Sequence, residues 1–574
     1  MFKKSLLFTI LALMLFGAKV FASGIQVLST TVTTNDDKKS ATVKFSLIWD
    51  HSWRLEEGPA NWDAAWVFIK FRTMPGDNWN HAYIKATGSS MPGNAEFKIG
   101  NSTAIVEGAN TTVGVGAFIF RKEPGNGTIA FTDCELYWDF VQNGLTGGEQ
   151  VEVCVLATEM VYIPQGAYYL GDYTSNGAFT RNRSNAPSVS GLRAVNAPYV
   201  NVAAPTFLNN FSNAWIYATA NYSTPHNNLY NNSISTMEAV NPDDVYLNST
   251  TAGYNRSTTQ NVGSNTATYA TSYMSGINAN FPKGFNAFYC MKYEITQGEY
   301  LQFLNKNLVT VKNAGTYHHS ETAAGRFSIQ KKDGTGTANI PAEYELGNPS
   351  AAYLPCNYLG TKDIMAWLIW AGLRPMTELE FEKVCRGTGA IPGVASLRPQ
   401  YAWGSVNISP AAGFTNKGNA NEAPSNSTGN SAVATTAGAT IGSGENTLLD
   451  GPMRSGGFAT PVSSREKAGA TYYGVMEMSG NLWERCISVG NNDGRVFQGA
   501  VLAGHGNGEI GPGVNPDLPI GGGWPEAPGN GLGFRGGSYL DADARARISD
   551  RLFINVNDHS RQPSFGGRGV RSDL

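Results

Sequence analysis

Hydrophobic and polar residues alternate in short segments through the N-terminal quarter of the chain. In ATVKFSLIWD, the hydrophobic residues Val43, Phe45, Leu47 and Trp49 occupy every second position. Successive side chains of a β-strand point to opposite faces, so these four share one face. The same pattern recurs in AAWVFIKFR, HAYIKAT, GAFIFRK, CELYWDFV and EQVEVCVLA. About seven or eight such strands without a helical period predict an all-β sandwich over residues 23–158.

One of these segments, IWDHSWRLEEGPANWDAAWVFIKFR, is rich in tryptophan. The rings could line a sugar-binding face or fill the interior of the sandwich. Their alternating positions favour the interior, because large aromatic side chains contribute most when they are buried. The four residues are Trp49, Trp53, Trp62 and Trp66.

Helical patterns appear only later in the chain. Thr377 and Glu380 have the spacing of a capping box, in which the hydroxyl and the carboxylate satisfy the first free amides of a helix. Two further helices are predicted by apolar stripes that indicate core packing. The stripes are Ile364, Trp367 and Leu368 on one helix, and Tyr300, Leu301 and Leu304 on the other.

Two long polar stretches interrupt this pattern, at residues 173–283 and 404–470. Long loops of this kind are usually either functional surface or disorder. The first stretch carries many aromatic residues between 207 and 246. We therefore expect an ordered lobe that offers an interaction surface.

The N-terminus has the features of an export signal. Lys3 and Lys4 precede an apolar run that ends at a small-x-small site before Ser23, which predicts a signal peptide over residues 1–22 and a secreted protein. No later apolar stretch is long enough to span a bilayer. The 42 basic and 45 acidic residues nearly balance, which argues against nucleic acid and anionic membranes as partners.

The six cysteines are too few for a disulfide scaffold in 574 residues. Cys134 and Cys154 lie on two predicted strands of the same N-terminal region. They could pair as a disulfide or remain single buried thiols. The sequence leaves both alternatives open.

A series of motifs begins at residue 159 and continues almost to the C-terminus. The motifs, in order, are EMVYIPQGAYYLGD, FPKGFNAFYCMKYEITQGEYLQFLN, PCNYLGTKDIMAWLIWAGLRPMTELEFEKVCRG, YAWG, YYGVMEMSGNLWER and GFRGGSY with GGRGVR. Together they resemble the formylglycine-generating enzyme family, also called sulfatase-modifying factors. The resemblance covers residues 159–574 apart from the two insertions. It implies an α+β, C-type-lectin-like fold for this region.

The resemblance also locates the catalytic positions of the family. Active members hold copper through two cysteines. One cysteine lies two residues after the Tyr of GGSY, and the other lies five residues beyond the first. Here those positions are Asp541 and Ala546, and the last cysteine of the chain is Cys486. A thiolate pair holds Cu(I), and oxygen donors do not replace it. We therefore expect no copper and no catalytic residues.

The walls of the family's pocket are partly retained. Ser538 and Trp483 match residues that flank the family's active site, and we take the pocket to include Tyr539, Asp541 and Arg545. The alternative is that Ser538 and its neighbouring glycines only shape a tight core strand.

Charges of opposite sign alternate after this strand. Such a run predicts a solvated ion-pair network of little energy per pair, while general acid–base catalysis by two of the carboxylates is the alternative. The residues are Asp541, Asp543, Arg545, Arg547, Asp550 and Arg551.

Calcium is the cofactor that the resemblance implies for the surrounding loops, because Ca²⁺ takes hard oxygen ligands in irregular loops. The alternative for Glu484 is that it caps a turn or pairs with an arginine. The first implied site comprises Glu477, Glu484 and the carbonyls of Gly480 and Leu482. The second comprises Asn416, Asp450 and the carbonyls of Lys417 and Pro452.

The sequence thus predicts a secreted, catalytically silent relative of sulfatase-modifying factors that acts as an extracellular binding or surface-assembly module. Its partner would be an extracellular protein, a glycan or another copy of the chain, recognised through aromatic and amide side chains. The alternative is an enzyme, either a formylglycine-generating oxidase or a related metal-dependent oxidoreductase.

Overall fold

The computed structural model describes the N-terminal region, four short strands of the first insertion, and most of the C-terminal region. The predicted signal segment 1–22 and the aromatic side chains of 207–246 lie outside the described residues. No described helix is long and apolar enough to cross a membrane. The described residues are 24–166, 245–248, 253–256, 259–262, 265–268, 280–318, 324–337, 339–387, 401–405, 407–434, 441–442, 444, 446–460, 462–488, 492–511, 518–519, 521–525, 531–548, 550, 553–554, 556 and 558–574.

The N-terminal region forms nine antiparallel strands, which confirms the prediction that it is all-β. A short 3-10 helix, Phe140–Asn143, connects the last two. The strands are β1 (Gln26–Thr34), β2 (Ala41–Arg54), β3 (Asp63–Met74), β4 (Asn80–His81), β5 (Ile84–Ser90), β6 (Ala95–Val106), β7 (Ala109–Arg121), β8 (Gly125–Trp138) and β9 (Gln150–Ile163).

The rest of the chain combines short strands with short helices. Its strands are β10 (Val245–Asn248), β11 (Gly253–Arg256), β12 (Thr259–Val262), β13 (Asn265–Thr268), β14 (Phe288–Met291), β15 (Ile329–Lys331), β16 (Tyr344–Leu346), β17 (Arg374–Pro375), β18 (Phe414–Thr415), β19 (Ala423–Pro424), β20 (Trp483–Ile487), β21 (Leu532–Arg535), β22 (Phe565–Gly566) and β23 (Gly569–Ser572). Its α-helices are α1 (Gln297–Asn305), α2 (Val309–Ala314), α3 (Thr361–Trp370), α4 (Glu378–Arg386), α5 (Arg465–Ala468) and α6 (Asn492–Arg495). Its 3-10 helices are Ala324–Arg326, Pro349–Tyr353, Leu502–Gly504 and Asp543–Ala546.

One sheet runs through both regions. Its strand order is β1-β2-β8-β5-β7-β3-β9-β14-β23-β17, with β4 on β3 and β6 on β7. Strand β9 makes the junction, because it pairs along its length with β3 and through its last four residues with β14. The predicted domain boundary at residue 158 therefore falls inside β9.

Strand β3 is buried on both faces. Val67 and Ile69 on one face pack with β2 and β8 in the core of the N-terminal region. Trp66 and Phe68 on the other face pack against the helices of the C-terminal region, and Nε1 of Trp66 donates a hydrogen bond to the carbonyl of Ala371 at 2.8 Å. A strand covered on both sides reads as a nearly continuous apolar run, as the segment AAWVFIKF does.

Two helices of the C-terminal region begin with capping boxes. At α4, the Glu380 amide donates to Oγ1 of Thr377 and the Thr377 amide donates to Oε2 of Glu380, both at 3.1 Å. This confirms the box predicted from sequence. Thr296 and Glu299 form an equivalent box at α1. Each box satisfies amides that the first helical turn leaves without intrahelical partners.

The structure resolves two alternatives left by the sequence. Trp49 and Trp66 are fully buried, as the core interpretation predicts, whereas Trp53 is half-buried and faces a cleft. Cys134 and Cys154 are not joined by a disulfide.

Candidate functional site

The predicted pocket residues lie on and beside a small three-stranded sheet. Its central strand, β20, pairs antiparallel with β21 and parallel with β22. After β21 the chain turns through Gly536 and Gly537, whose φ angles of 91° and 76° are left-handed. A Cβ at Gly537 would lie 3.0 Å from the Ala546 amide nitrogen. Glycine therefore lets this turn pack against the 3-10 helix Asp543–Ala546.

Asp541, at the first predicted cysteine position, is held in place by hydrogen bonds. Its Oδ2 accepts from Nε1 of Trp483 at 2.6 Å and from Oγ of Ser538. Its Oδ1 accepts from the amide of Gly442 at 3.0 Å. Burial raises the pKa of Asp541, and these donors offset part of that effect. The carboxylate thus acts as a shared acceptor for three donors of the pocket wall.

The structure brings Ser538, Trp483 and Asp541 into one buried cluster. Ser538 and Trp483 have no exposed surface and Asp541 is 5% exposed. The ring of Trp483 also packs edge-on against Phe534 and Phe553. These side chains therefore support one another in the interior, as the tight-core alternative for Ser538 proposes.

The other two predicted pocket residues point elsewhere. Tyr539 is buried in a separate apolar cluster, and its carbonyl accepts a hydrogen bond from Nδ2 of Asn446 at 2.8 Å. Arg545 forms an ion pair with Asp550, with 3.2 Å between Nη1 and Oδ2. Asp550 is only 1% exposed, so this pair does not belong to a fully solvated network.

Ala546, at the second predicted cysteine position, contributes its methyl group to an apolar core. Cys290, Cys385 and Cys486 belong to the same hydrophobic cluster, as free and buried thiols. Burial raises the pKa of Cys290 to about 12, and it raises those of Cys385 and Cys486 as well. A thiol with a raised pKa stays protonated and is a poor metal ligand and nucleophile.

The first implied calcium site does not fit a metal ion as it is arranged. Both carboxylate oxygens of Glu484 accept from Arg568, each at 2.7 Å, which is the arginine pairing weighed as the alternative. Oε1 of Glu477 accepts from the Gly456 amide at 2.8 Å, while its Oε2 is buried and has no hydrogen-bond partner in the part of the chain that the structure describes. With both oxygens of Glu484 bound to Arg568, the carbonyls of Gly480 and Leu482 and one oxygen of Glu477 remain, fewer than the six to eight oxygen ligands of Ca²⁺; calcium binding by this set stays a prediction.

A third carboxylate at this loop was missed by sequence reasoning. Oε1 of Glu294 accepts from the Leu482 amide at 2.9 Å, and its Oε2 accepts from Nδ2 of Asn481 at 2.7 Å. Asn481 has a left-handed φ of 73°, so Glu294 fixes an unusual backbone conformation. Burial and the charge of Glu484 raise the pKa of Glu294. Gly480 and Leu482, whose carbonyls belong to the implied calcium site, lie on either side of Asn481 in the segment that Glu294 binds.

The second implied calcium set is partly assembled at the surface. Nζ of Lys417 lies 2.7 Å from Oδ2 of Asp450, and both side chains are about half exposed. The carbonyl of Pro452 accepts from Nη1 of Arg326 at 2.7 Å, and Asn416 has a left-handed φ of 51°. The Asp450 carboxylate thus already has a cationic partner, and calcium binding by this set stays a prediction.

Comparison with known proteins gives one result. A family model described as sulfatase-modifying factor enzyme 1-like domain matches residues 259–572, which is more than half of the 574-residue chain. A search of curated proteins finds no match. The matched range contains every predicted pocket and calcium residue discussed above.

Proposed function

The chain belongs to the sulfatase-modifying factor family, and we propose that it is a non-catalytic, exported member that serves as a binding or surface-assembly module. The family assignment indicates the fold, and the side chains at the two positions of the copper-binding cysteines determine whether the site can bind copper. The proposal rests on what Asp541 does.

The observation that carries the proposal is the set of hydrogen bonds to Asp541. The carboxylate accepts from Trp483, Ser538 and Gly442 inside a buried cluster. The Asp541 carboxylate therefore stabilises the pocket wall through these hydrogen bonds. Ala546 completes an apolar core and has no ligand atom. A carboxylate engaged by three donors and a methyl group do not form the soft ligand pair that Cu(I) requires.

The enzyme alternative would need thiolates from other parts of the chain. Cys290, Cys385 and Cys486 are the candidates, because they share the apolar core that contains Ala546. Their raised pKa values favour the neutral thiol. Their environment is that of inert structural cysteines rather than reactive ones.

A binding role is supported by how the two regions of the chain are joined. The continuous sheet through β9 and the double burial of β3 tie the N-terminal sheet to the family domain. Such a junction holds surfaces of both regions at a fixed position relative to each other. The export signal predicted from the sequence supports a location outside the cytoplasm, where the partner would be an extracellular protein, a glycan or another copy of the chain.

Metal analysis of the purified protein tests the proposal. The protein is exposed to Cu(I) and separately to Fe(II), desalted, and assayed for bound metal and for oxygen uptake with a Cys-containing sulfatase peptide. A family member with both cysteines serves as the positive control. We expect neither stoichiometric metal nor oxygen uptake. Stoichiometric copper or iron together with turnover would show that the protein is an oxidoreductase.

A further inference from the structure

A cleft of about 760 Å³ opens along the seam between the N-terminal sheet and the C-terminal region. Its walls include His51 and Trp53 from β2 on one side, and Tyr293, Tyr353 and Ser455 on the other. Its volume falls within the roughly 300–1,000 Å³ typical of small-ligand sites. The cleft is distinct from the buried cluster of Ser538, Trp483 and Asp541.

The N-terminal sheet and the C-terminal region are in direct contact next to this cleft. Nδ2 of Asn61 donates to the carbonyl of Tyr473 at 2.8 Å. A Cβ at Gly474 would lie 2.9 Å from the ring of Trp53, so the two walls touch there. The two walls of the cleft are therefore in direct contact at one end of the opening.

Three aromatic residues from different parts of the chain reach the cleft. Trp53 lies on β2, Tyr293 follows β14, and Tyr353 ends the 3-10 helix Pro349–Tyr353. All three are half-buried, so part of each side chain remains accessible. Aromatic side chains offer an apolar surface with a polar edge. That combination suits a ligand with C–H faces and a rim of hydroxyl groups, which is the surface of a sugar ring.

The cations of the cleft are already engaged by protein acceptors. Nε and Nη1 of Arg454 donate to the carbonyls of Glu422 and Ser455, both at 3.0 Å. Nη2 of Arg465 donates to the carbonyl of Ala402 at 2.8 Å, and Nζ of Lys292 is 2.8 Å from Oε2 of Glu159. Recognition of a phosphate or carboxylate usually relies on a guanidinium fork. The engaged forks favour a neutral ligand over an anionic one.

Ser455 provides independent evidence for a ligand. It is 1% exposed and lines the cleft, yet its Oγ has no hydrogen-bond partner among the described residues. Its backbone is fixed, because its amide donates to the carbonyl of Tyr353 at 3.1 Å. Buried hydroxyls nearly always have a partner, and leaving one unpaired is unfavourable. An unpaired hydroxyl in the wall of a cleft is well placed to bond a ligand hydroxyl.

We propose that this cleft binds a neutral oligosaccharide, with Tyr353 and Trp53 contacting the sugar rings and Ser455 bonding a sugar hydroxyl. This inference rests on the proposed non-catalytic binding function and gives it a site and a ligand class. It requires residues from both regions of the chain. The family domain alone would therefore not contain the complete site.

Binding to a printed array of neutral and acidic oligosaccharides tests the inference with the full-length protein. The two site variants are Ser455→Ala and Tyr353→Ala. Ser431→Ala is the matched control for the first, because Ser431 is equally buried but its Oγ donates to the carbonyl of Ser479 at 2.7 Å. Tyr137→Ala is the control for the second, because Tyr137 lies on β8 eleven residues from Asn126 of the cleft, roughly 35 Å along the strand.

We expect retention on neutral oligosaccharides, weakened about tenfold or more by each site variant, as the loss of one good contact implies. Both controls should bind as the unaltered protein does. Ser455→Ala should also leave the melting temperature unchanged or raised, because its hydroxyl has no partner among the residues that the structure describes. Lost binding by this variant could then not be attributed to unfolding. Absence of retention, retention on acidic glycans alone, or equal binding by the site variants would overturn the inference. None of these outcomes bears on the metal and oxygen assay, so the proposed function is judged separately.

Discussion

Replacement of Asp541 by alanine tests whether this carboxylate has a structural role at the position where the family resemblance implies a cysteine. The change leaves the Nε1 donor of Trp483 and the hydroxyl of Ser538 buried without their acceptor. A buried polar group that loses its partner costs about 1–3 kcal/mol. The Gly442 amide is half-buried and should cost less. Removing the carboxylate also removes its own desolvation cost, so we expect a net loss of about 2–4 kcal/mol in the free energy of unfolding.

Urea unfolding followed by circular dichroism measures this loss. Asp543→Ala is the matched control, because Asp543 lies two residues away and is exposed, and the hydrogen bond that it accepts from Tyr401 is long, at 3.4 Å. The control should stay within about 0.5 kcal/mol of the unaltered protein, as surface changes usually do. If Asp541→Ala unfolds at the same urea concentration as Asp543→Ala, the structural role assigned to Asp541 is wrong.

Three further predictions concern the charged loop beside this cluster. Burial raises the pKa of Glu477 from 4.5 to about 7, so the folded protein binds this proton more tightly than the unfolded chain does. The contribution of this group to the free energy of unfolding is therefore complete below about pH 4.5. It falls by about 3 kcal/mol in total as the pH rises through 7. Glu477→Gln should remove that part of the slope in urea titrations between pH 5 and 8, and an unchanged slope would contradict the assignment. Arg568→Met should lower the free energy of unfolding by about 3–5 kcal/mol, because it leaves the Glu484 carboxylate buried without its cation. A decrease below about 1 kcal/mol would refute this prediction. Glu484→Gln should leave the response of the melting temperature to added calcium unchanged. A calcium-dependent rise in the melting temperature that this variant abolishes would instead support calcium binding at the implied site.

Local features of the fold could be predicted from the sequence because their causes are local. Alternation in ATVKFSLIWD marks the buried face of β2, and Val43, Phe45, Leu47 and Trp49 are all in the core. The capping box of α4 needs only Thr377 and Glu380, which are three residues apart. Helix caps and strand periodicity are set by near neighbours, so sequence spacing carries the information.

Features that depend on distant partners could not be predicted in this way. The sequence allows either calcium or an arginine as the partner of Glu484, and it does not identify Arg568, which lies 84 positions later in the chain. Glu294 carried no sequence signal, although it fixes Asn481 from 187 positions away. Strand β9, which contains the predicted boundary at residue 158, pairs with strands of both regions, and its alternation does not reveal which strands it pairs with. The cleft likewise combines Trp53 and Ser455, which nothing in the sequence connects.

The most direct test of the central claim is the mass of a Cys-containing sulfatase peptide after incubation with the copper-treated protein and oxygen. Because Asp541 is bound by Trp483 and Ser538 and Ala546 has no ligand atom, the peptide should keep its cysteine and its mass. Conversion of that cysteine to formylglycine, at a rate above that with copper alone, would show that this framework still performs the oxidation.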